Sequence, residues 1–135
     1  YLDTQIEPLG LRRKYVRREL FGAIKNPWDQ PDYPAGIRGK TFKMKLIQCG
    51  KEYEIPVSAD EPVLVAAERA GICVPERCRS GECGWCRSRL LSGSVYVPAR
   101  TDGRRRADVA FGYIHPCASF AMSDLVLDVP NGTLR

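Results

Sequence analysis

Cys78, Cys83 and Cys86 form a Cys-x4-Cys-x2-Cys run, and Cys117 stands 31 residues beyond it. Four thiolates at this spacing can hold a [2Fe–2S] cluster, three from one loop and one from a distant segment. Such a site carries a net negative charge that deepens on reduction. Burying it is costly unless hydrogen-bond donors surround it. Backbone N–H groups suit that task, because they bring neither bulk nor a fixed counter-charge. The loop Cys78-Arg-Ser-Gly-Glu-Cys-Gly-Trp-Cys86 has the composition for it. Gly81 and Gly84 can adopt backbone conformations closed to other residues, which lets the chain wrap closely around sulfur. Successive N–H groups in such a loop make a nest for an anion. The chemistry expected is single-electron transfer, with Cys78, Cys83, Cys86 and Cys117 as metal ligands and Gly81 and Gly84 shaping the cluster loop.

Other uses of these cysteines fit less well. A structural zinc site usually shows two close cysteine pairs, and Cys83-x2-Cys86 is a single pair. A thioredoxin-type Cys-x-x-Cys motif has no place for Cys78 five residues upstream. A Rieske centre needs two histidines, and His115 is the only one. With no secretory signal in view, six cysteines point to metal before disulfides. Cys49 and Cys73 are left over and are expected to be small buried hydrophobes. His115 is assigned no role.

The elements that must position the ligands can be read from periodicity. Thr41-Phe-Lys-Met-Lys-Leu-Ile47 alternates with period two, as a half-buried strand does, with Phe42, Met44 and Leu46 on one face. Gly50-Lys51 is the expected turn, and Tyr53, Ile55 and Val57 continue the alternation as a hairpin. Asp60-Glu-Pro62 predicts a helix start, with Asp60 as N-cap and residues 63–70 as the body. Gly71 stops it. Residues 87–91 and 125–129 read as strands, and 98–115 as loop, including an exposed Arg104-Arg105-Arg106. Upstream, residues 1–22 read as a helix tail ended by Gly10, then a short strand over 14–21. Residues 23–40 carry Pro27, Pro31 and Pro34 and read as a stiff linker. Trp28 and Tyr33 suggest that it lies against a surface. The organisation expected is 1–22, a 23–40 linker, a domain over 41–130 and a tail over 131–135.

With 44% hydrophobic and 27% charged residues, a real core is expected. No apolar run reaches the length of a membrane span, about 18 residues. No signal peptide is visible, and a cytoplasmic location is expected. The chain opens on Tyr1 rather than Met, so a start further upstream is expected. The net charge is +5, with eight basic against five acidic side chains in residues 1–40 and thirteen against eleven in 41–135. The basic residues of the first part alternate with Tyr15, Val16 and Leu20. That pattern suggests one solvated face and argues against nucleic-acid binding.

Residues 41–130 resemble the plant-type [2Fe–2S] ferredoxin domain. The resemblance rests on Asp60-Glu-Pro-Val-Leu64, Ala66-Ala-Glu-Arg-Ala-Gly71, Cys78-x-x-Gly-x-Cys-Gly-x-Cys86 and Pro116-Cys117. It implies an α+β, β-grasp (ubiquitin-like) fold: a mixed sheet with one main helix, preceded here by an extended N-terminal segment. It also implies Cys78, Cys83, Cys86 and Cys117 as ligands, and a potential of about −400 mV. The Cys-Gly-x-Cys wording is closer to ferredoxin domains fused to flavin reductases than to chloroplast ferredoxins. Leu9-Gly-Leu-Arg-Arg-Lys-Tyr-Val-Arg-Arg-Glu-Leu-Phe-Gly22 resembles the end of a ferredoxin-reductase NAD(P)-binding domain. Together these imply the last part of an FAD- and NAD(P)H-dependent oxidoreductase, with a flavin-containing reductase module as donor and a redox protein as acceptor.

The alternatives are a stand-alone ferredoxin with an N-terminal extension and, from another class, a zinc-binding interaction module. Two departures stand out. Plant ferredoxins are strongly acidic, which steers docking, whereas this domain is slightly basic. Trp85 also stands between ligands where the family commonly has a small residue. It is expected either to shield the cluster and form a docking face, or to pack on an apolar neighbour. Arg77, Arg79, Arg87 and Arg89 flank the ligands and are expected to be solvated.

Overall fold

The structure is a computed structural model and describes residues 7–10, 22 and 24–131. The expected strand over 14–21 and most of the helix tail before Gly10 lie outside the described residues. The part that is described, Glu7–Leu9, is a single 3-10 turn followed by Gly10 at φ 58°.

β1 (Thr41–Gln48) and β2 (Lys51–Ser58) pair antiparallel. The turn between them is Cys49-Gly50, one residue earlier than expected. Gln48 pairs with Lys51, and both turn residues have positive φ, 51° and 76°. Two such residues make the primed turn whose twist matches a hairpin. This placement exposes Cys49, and Cys73 is exposed as well, which corrects the expectation that both are buried.

α1 (Val63–Arg69) follows. Pro62, not Asp60, occupies the N-cap position. The Asp60 carboxylate turns instead to the linker, accepting the Gly39 N–H at 3.1 and 3.0 Å. The first helical N–H, that of Val63, donates to the Ser119 carbonyl at 2.9 Å, so the helix start is capped by a distant segment. At the other end Gly71 (φ 76°) donates to Glu68 and Ile72 to Ala67, the paired bonds of a Schellman stop.

β3 (Ser88–Ser92), β4 (Val95–Tyr96), β5 (Tyr113–Ile114), β6 (Phe120–Ala121) and β7 (Leu125–Asp128) complete the domain. Residues 98–115 are not all loop: α2 (Arg106–Ala110) lies within them. The main sheet runs β2-β1-β7-β3-β5, with β1 and β7 parallel and the other pairs antiparallel. β4 and β6 form a separate small ribbon.

Met44 and Leu46 of β1 face Leu125 and Leu127 of β7 in register. All four are buried, together with Val63, Leu64, Ala66 and Ala67 of α1. Each large apolar side chain removed from water stabilises by about 2 kcal/mol. A mixed sheet with one main helix packed on it is the β-grasp arrangement.

The linker lies on this domain. Tyr96, 6% exposed, packs edge-on against Tyr33 at 5.4 Å between ring centroids. Pro27 is buried, and the Arg38 guanidinium sits 4.5 Å over the Trp28 ring. No helix among the described residues is long and apolar enough to cross a membrane.

Candidate metal centre

The strand register brings two of the four cysteines together. Ser88, two residues after Cys86, pairs with Ile114, three residues before Cys117. At the end of this ladder the Cys86 and Cys117 sulfurs stand 3.4 Å apart, both residues 2% exposed. Cys117 rides on a 3-10 turn, Pro116–Ala118, that starts directly after β5. The Ser88 hydroxyl donates to the Cys86 carbonyl at 2.9 Å and fixes the other side.

Cys78 and Cys83 lie on the outer part of the loop, Cys78 half-buried and Cys83 exposed. Here backbone donors point at sulfur. The Ser80 and Cys83 N–H groups reach Cys78 Sγ at 3.5 and 3.4 Å, and the Trp85 N–H reaches Cys83 Sγ at 3.4 Å. Burial pushes the Cys78 thiol up, but hydrogen bonds from Ser80 and from the Cys83 N–H outweigh it and hold the thiol at about 6. Cys86 is lowered by its hydrogen bond with Cys117, whereas Cys117 is raised by that same bond and by burial. A metal would take both as thiolates.

Gly81 and Gly84 both have positive φ, 86° and 69°. At Gly81 a Cβ would stand 2.5 Å from the Thr101 carbonyl oxygen and 2.8 Å from the Ala118 Cβ. Gly103 packs back against the same point, since a Cβ there would lie 2.5 Å from the Gly81 oxygen. The loop is thus pressed backbone to backbone against residues 101–103. Gly103 is a contributor that sequence reasoning missed, because only this close approach reveals it.

The flanking arginines are less free than expected. Arg79, in the left-handed region at φ 57°, pairs with Glu68 of α1. Arg87 pairs with the buried Asp108 at 3.0 Å and stacks on Tyr113. Asp108 also accepts the Arg105 N–H at 3.2 Å, which ties α2 to the end of the ligand loop. Arg104, expected on an exposed loop, chelates Asp102 through two nitrogens at 2.8 and 2.7 Å. Trp85 is 49% exposed, with the Arg77 guanidinium 4.5 Å over its ring. His115, for which the sequence offered no role, is 3% exposed, and its Nδ1 lies 2.6 Å from the Gly81 oxygen.

Among the described residues no three His, Cys, Asp or Glu side chains converge on one metal-ion position. The donor set fits the cluster: four thiols, two as a close pair, with N–H groups aimed at the outer sulfurs.

Residues 46–122 match the family model for the 2Fe-2S iron-sulfur cluster binding domain. The chain is 38% identical over 122 residues to the glycine betaine monooxygenase reductase subunit of Pseudomonas aeruginosa, covering 90% of this chain and 32% of that protein. It is 31% identical over 88 residues to Ferredoxin-2 of Synechococcus, covering 65% of this chain and 83% of that protein. Among solved structures it superposes on phthalate dioxygenase reductase with a TM-score of 0.58 at 28% identity, covering 95% of this chain and 36% of the other. The chain spans about a third of the length of the reductase relatives it matches. It belongs to the [2Fe–2S] ferredoxin domain family, whose work is electron transfer.

Proposed function

We propose that this chain is the electron outlet of a larger FAD- and NAD(P)H-dependent reductase, with Cys78, Cys83, Cys86 and Cys117 as the cluster ligands. The observation that carries this reading is the seating of the segment before the domain. The Gly22 N–H donates to the Cys78 carbonyl at 3.0 Å, and residues 24–40 are strapped onto the domain by Asp60 and Tyr96. A docked segment of this kind gives an upstream flavin module a defined approach to the ligand loop and a high effective concentration. The long matches to reductase components, which run through this segment, support the same assignment.

Bound in this loop, a [2Fe–2S] cluster takes up and gives out electrons one at a time. The chain's residues do the rest. Cys86 and Cys117, whose sulfurs stand 3.4 Å apart, would hold the cluster from the buried side, and Cys78 and Cys83 from the outer side. The N–H groups directed at the outer sulfurs would offset the negative charge of a bound cluster. Buried Cys86 and Cys117 keep water from one side, while exposed Cys83 and half-exposed Trp85 mark the side open to a partner. The acceptor is a redox protein of an oxygenase system, and the location is the cytoplasm, where thiols stay reduced.

The product of the full reading frame tests this. Purified, it is expected to contain FAD and to reduce its cluster with NADH or NADPH. A flavin-free product that begins close to Tyr1 would overturn the reading in favour of a free-standing ferredoxin.

A further inference from the structure

His115 is not needed as a ligand, yet it is buried at the junction of both ligand segments. Its ring touches the first: Nδ1 lies 2.6 Å from the Gly81 carbonyl oxygen. Its backbone organises the second. The His115 carbonyl accepts the Ala118 N–H at 2.9 Å and the Ser119 hydroxyl at 2.8 Å, closing the turn that carries Cys117. A carbonyl oxygen only accepts, so Nδ1 must carry the proton. That leaves Nε2 beside Gly84, where a Cβ would stand 3.4 Å from it. Among the described residues Nε2 is the one buried side-chain nitrogen or oxygen without a hydrogen-bond partner. Burying it so costs more than burying a hydrocarbon of similar size. Packing alone does not explain why the fold keeps an imidazole here.

Gly81 is the residue through which the ring can act. It lies between Ser80 and Cys83, whose N–H groups reach the Cys78 sulfur at 3.5 and 3.4 Å. Its missing side chain presses it against Thr101 and Ala118. We infer that His115 is a positioning residue for the cluster: its Nδ1–H holds the Gly81 carbonyl and so keeps the ligand loop, with its N–H groups on Cys78, set against the turn that carries Cys117. Hydrogen bonds to ligand sulfur stabilise the reduced cluster and so raise its potential. Residues that orient ligands in this way also govern metal retention. The inference rests on the ligand assignment above and goes beyond it, because neither the cysteine spacing nor the fold requires a histidine here.

Two variants of nearly equal shape isolate the donor. Asn places an amide N–H where the imidazole has Nδ1, and Leu places a methyl group there. In the cluster-loaded chain, His115→Leu is expected to show a more negative midpoint potential than the wild type and to bleach about ten-fold faster under a chelator. His115→Asn is expected to restore both. Leu and Asn variants that match each other in both readouts would overturn the inference. If His115→Leu does not fold, nitrogen NMR of the wild-type ring decides. A proton on Nδ1 with Nε2 bare supports the inference, and the opposite tautomer refutes it. A wild-type chain that folds but takes up no cluster would refute the ligand assignment itself, and its visible spectrum separates that failure from a failure of His115.

Discussion

Asp32 accepts the Tyr96 hydroxyl at 2.8 Å across 64 residues of sequence, and its second oxygen takes the Ala99 N–H at 3.0 Å. One carboxylate thus pins the proline-rich segment to β4 and to the start of the 98–103 connection. That connection in turn buttresses Gly81. Removing the carboxylate, as in Asp32→Ala, should cost about 1 kcal/mol. It should also raise tryptic cleavage after Lys25 and Arg38 well before the domain itself unfolds. Cleavage at wild-type rates would show that the strap is held by something else.

The same contact gives a pH dependence. The Ala99 N–H and the Tyr96 hydroxyl hold the Asp32 carboxyl below its ordinary range. A lowered carboxyl pKa means stability that is fully present above the unfolded value and lost as pH falls through the folded one. Hydrogen-exchange protection of the Ala99 amide should therefore be flat from neutral pH down to about 4 and should fall below that. Asp32→Asn should remove this dependence, and a transition that survives the substitution would assign it to another group.

Gly81→Ala should be among the most damaging single substitutions. It forces a residue with φ 86° into a gap 2.5 Å from the Thr101 oxygen, with no flexible neighbour to give way. About 3 kcal/mol of stability should go, and the cluster with it. Gly84→Ala meets only the His115 ring at 3.4 Å and should cost less. Thermal unfolding of the two variants side by side checks the order.

Cys49→Asn should stabilise the chain by about 0.5 kcal/mol, because it installs Asn-Gly in a turn where both residues have positive φ. The visible spectrum should be unchanged, since Cys49 lies outside the proposed ligand set. A bleached Cys49→Asn protein would reopen the assignment of the ligands.

Trp85 contributes its backbone N–H to Cys83, a bond that survives any side-chain change at this position except proline. Its ring is half exposed under Arg77. Trp85→Ser should therefore leave the spectrum and the stability within about 0.5 kcal/mol of wild type. Electron transfer to the acceptor protein should slow several-fold. Unchanged transfer would remove Trp85 from the docking face.

The centre was legible where chemistry dictates spacing. Cys78-x4-Cys83-x2-Cys86 with Cys117 announced the cluster, and the alternation through Met44 and Leu46 announced β1. What could not be read depends on contacts between distant segments. Asp60 looks like an N-cap locally, but the Gly39 N–H draws its carboxylate away and Ser119 caps the helix instead. Cys49 looks like a small core residue, but the hairpin register turns it outward. His115 and Gly103 carry no pattern at all. Each matters only because it meets Gly81, and that meeting exists only in the folded chain.

The ligand assignment is tested most directly by spectroscopy of the purified chain together with its iron and acid-labile sulfide content. A red-brown protein with about two irons and two sulfides per chain is expected, a signature of [2Fe–2S]. It should accept one electron and become paramagnetic on reduction, and Cys117→Ser should lose or strongly alter this spectrum. A colourless wild-type protein that binds a single zinc ion, or a full spectrum in Cys117→Ser, would contradict it.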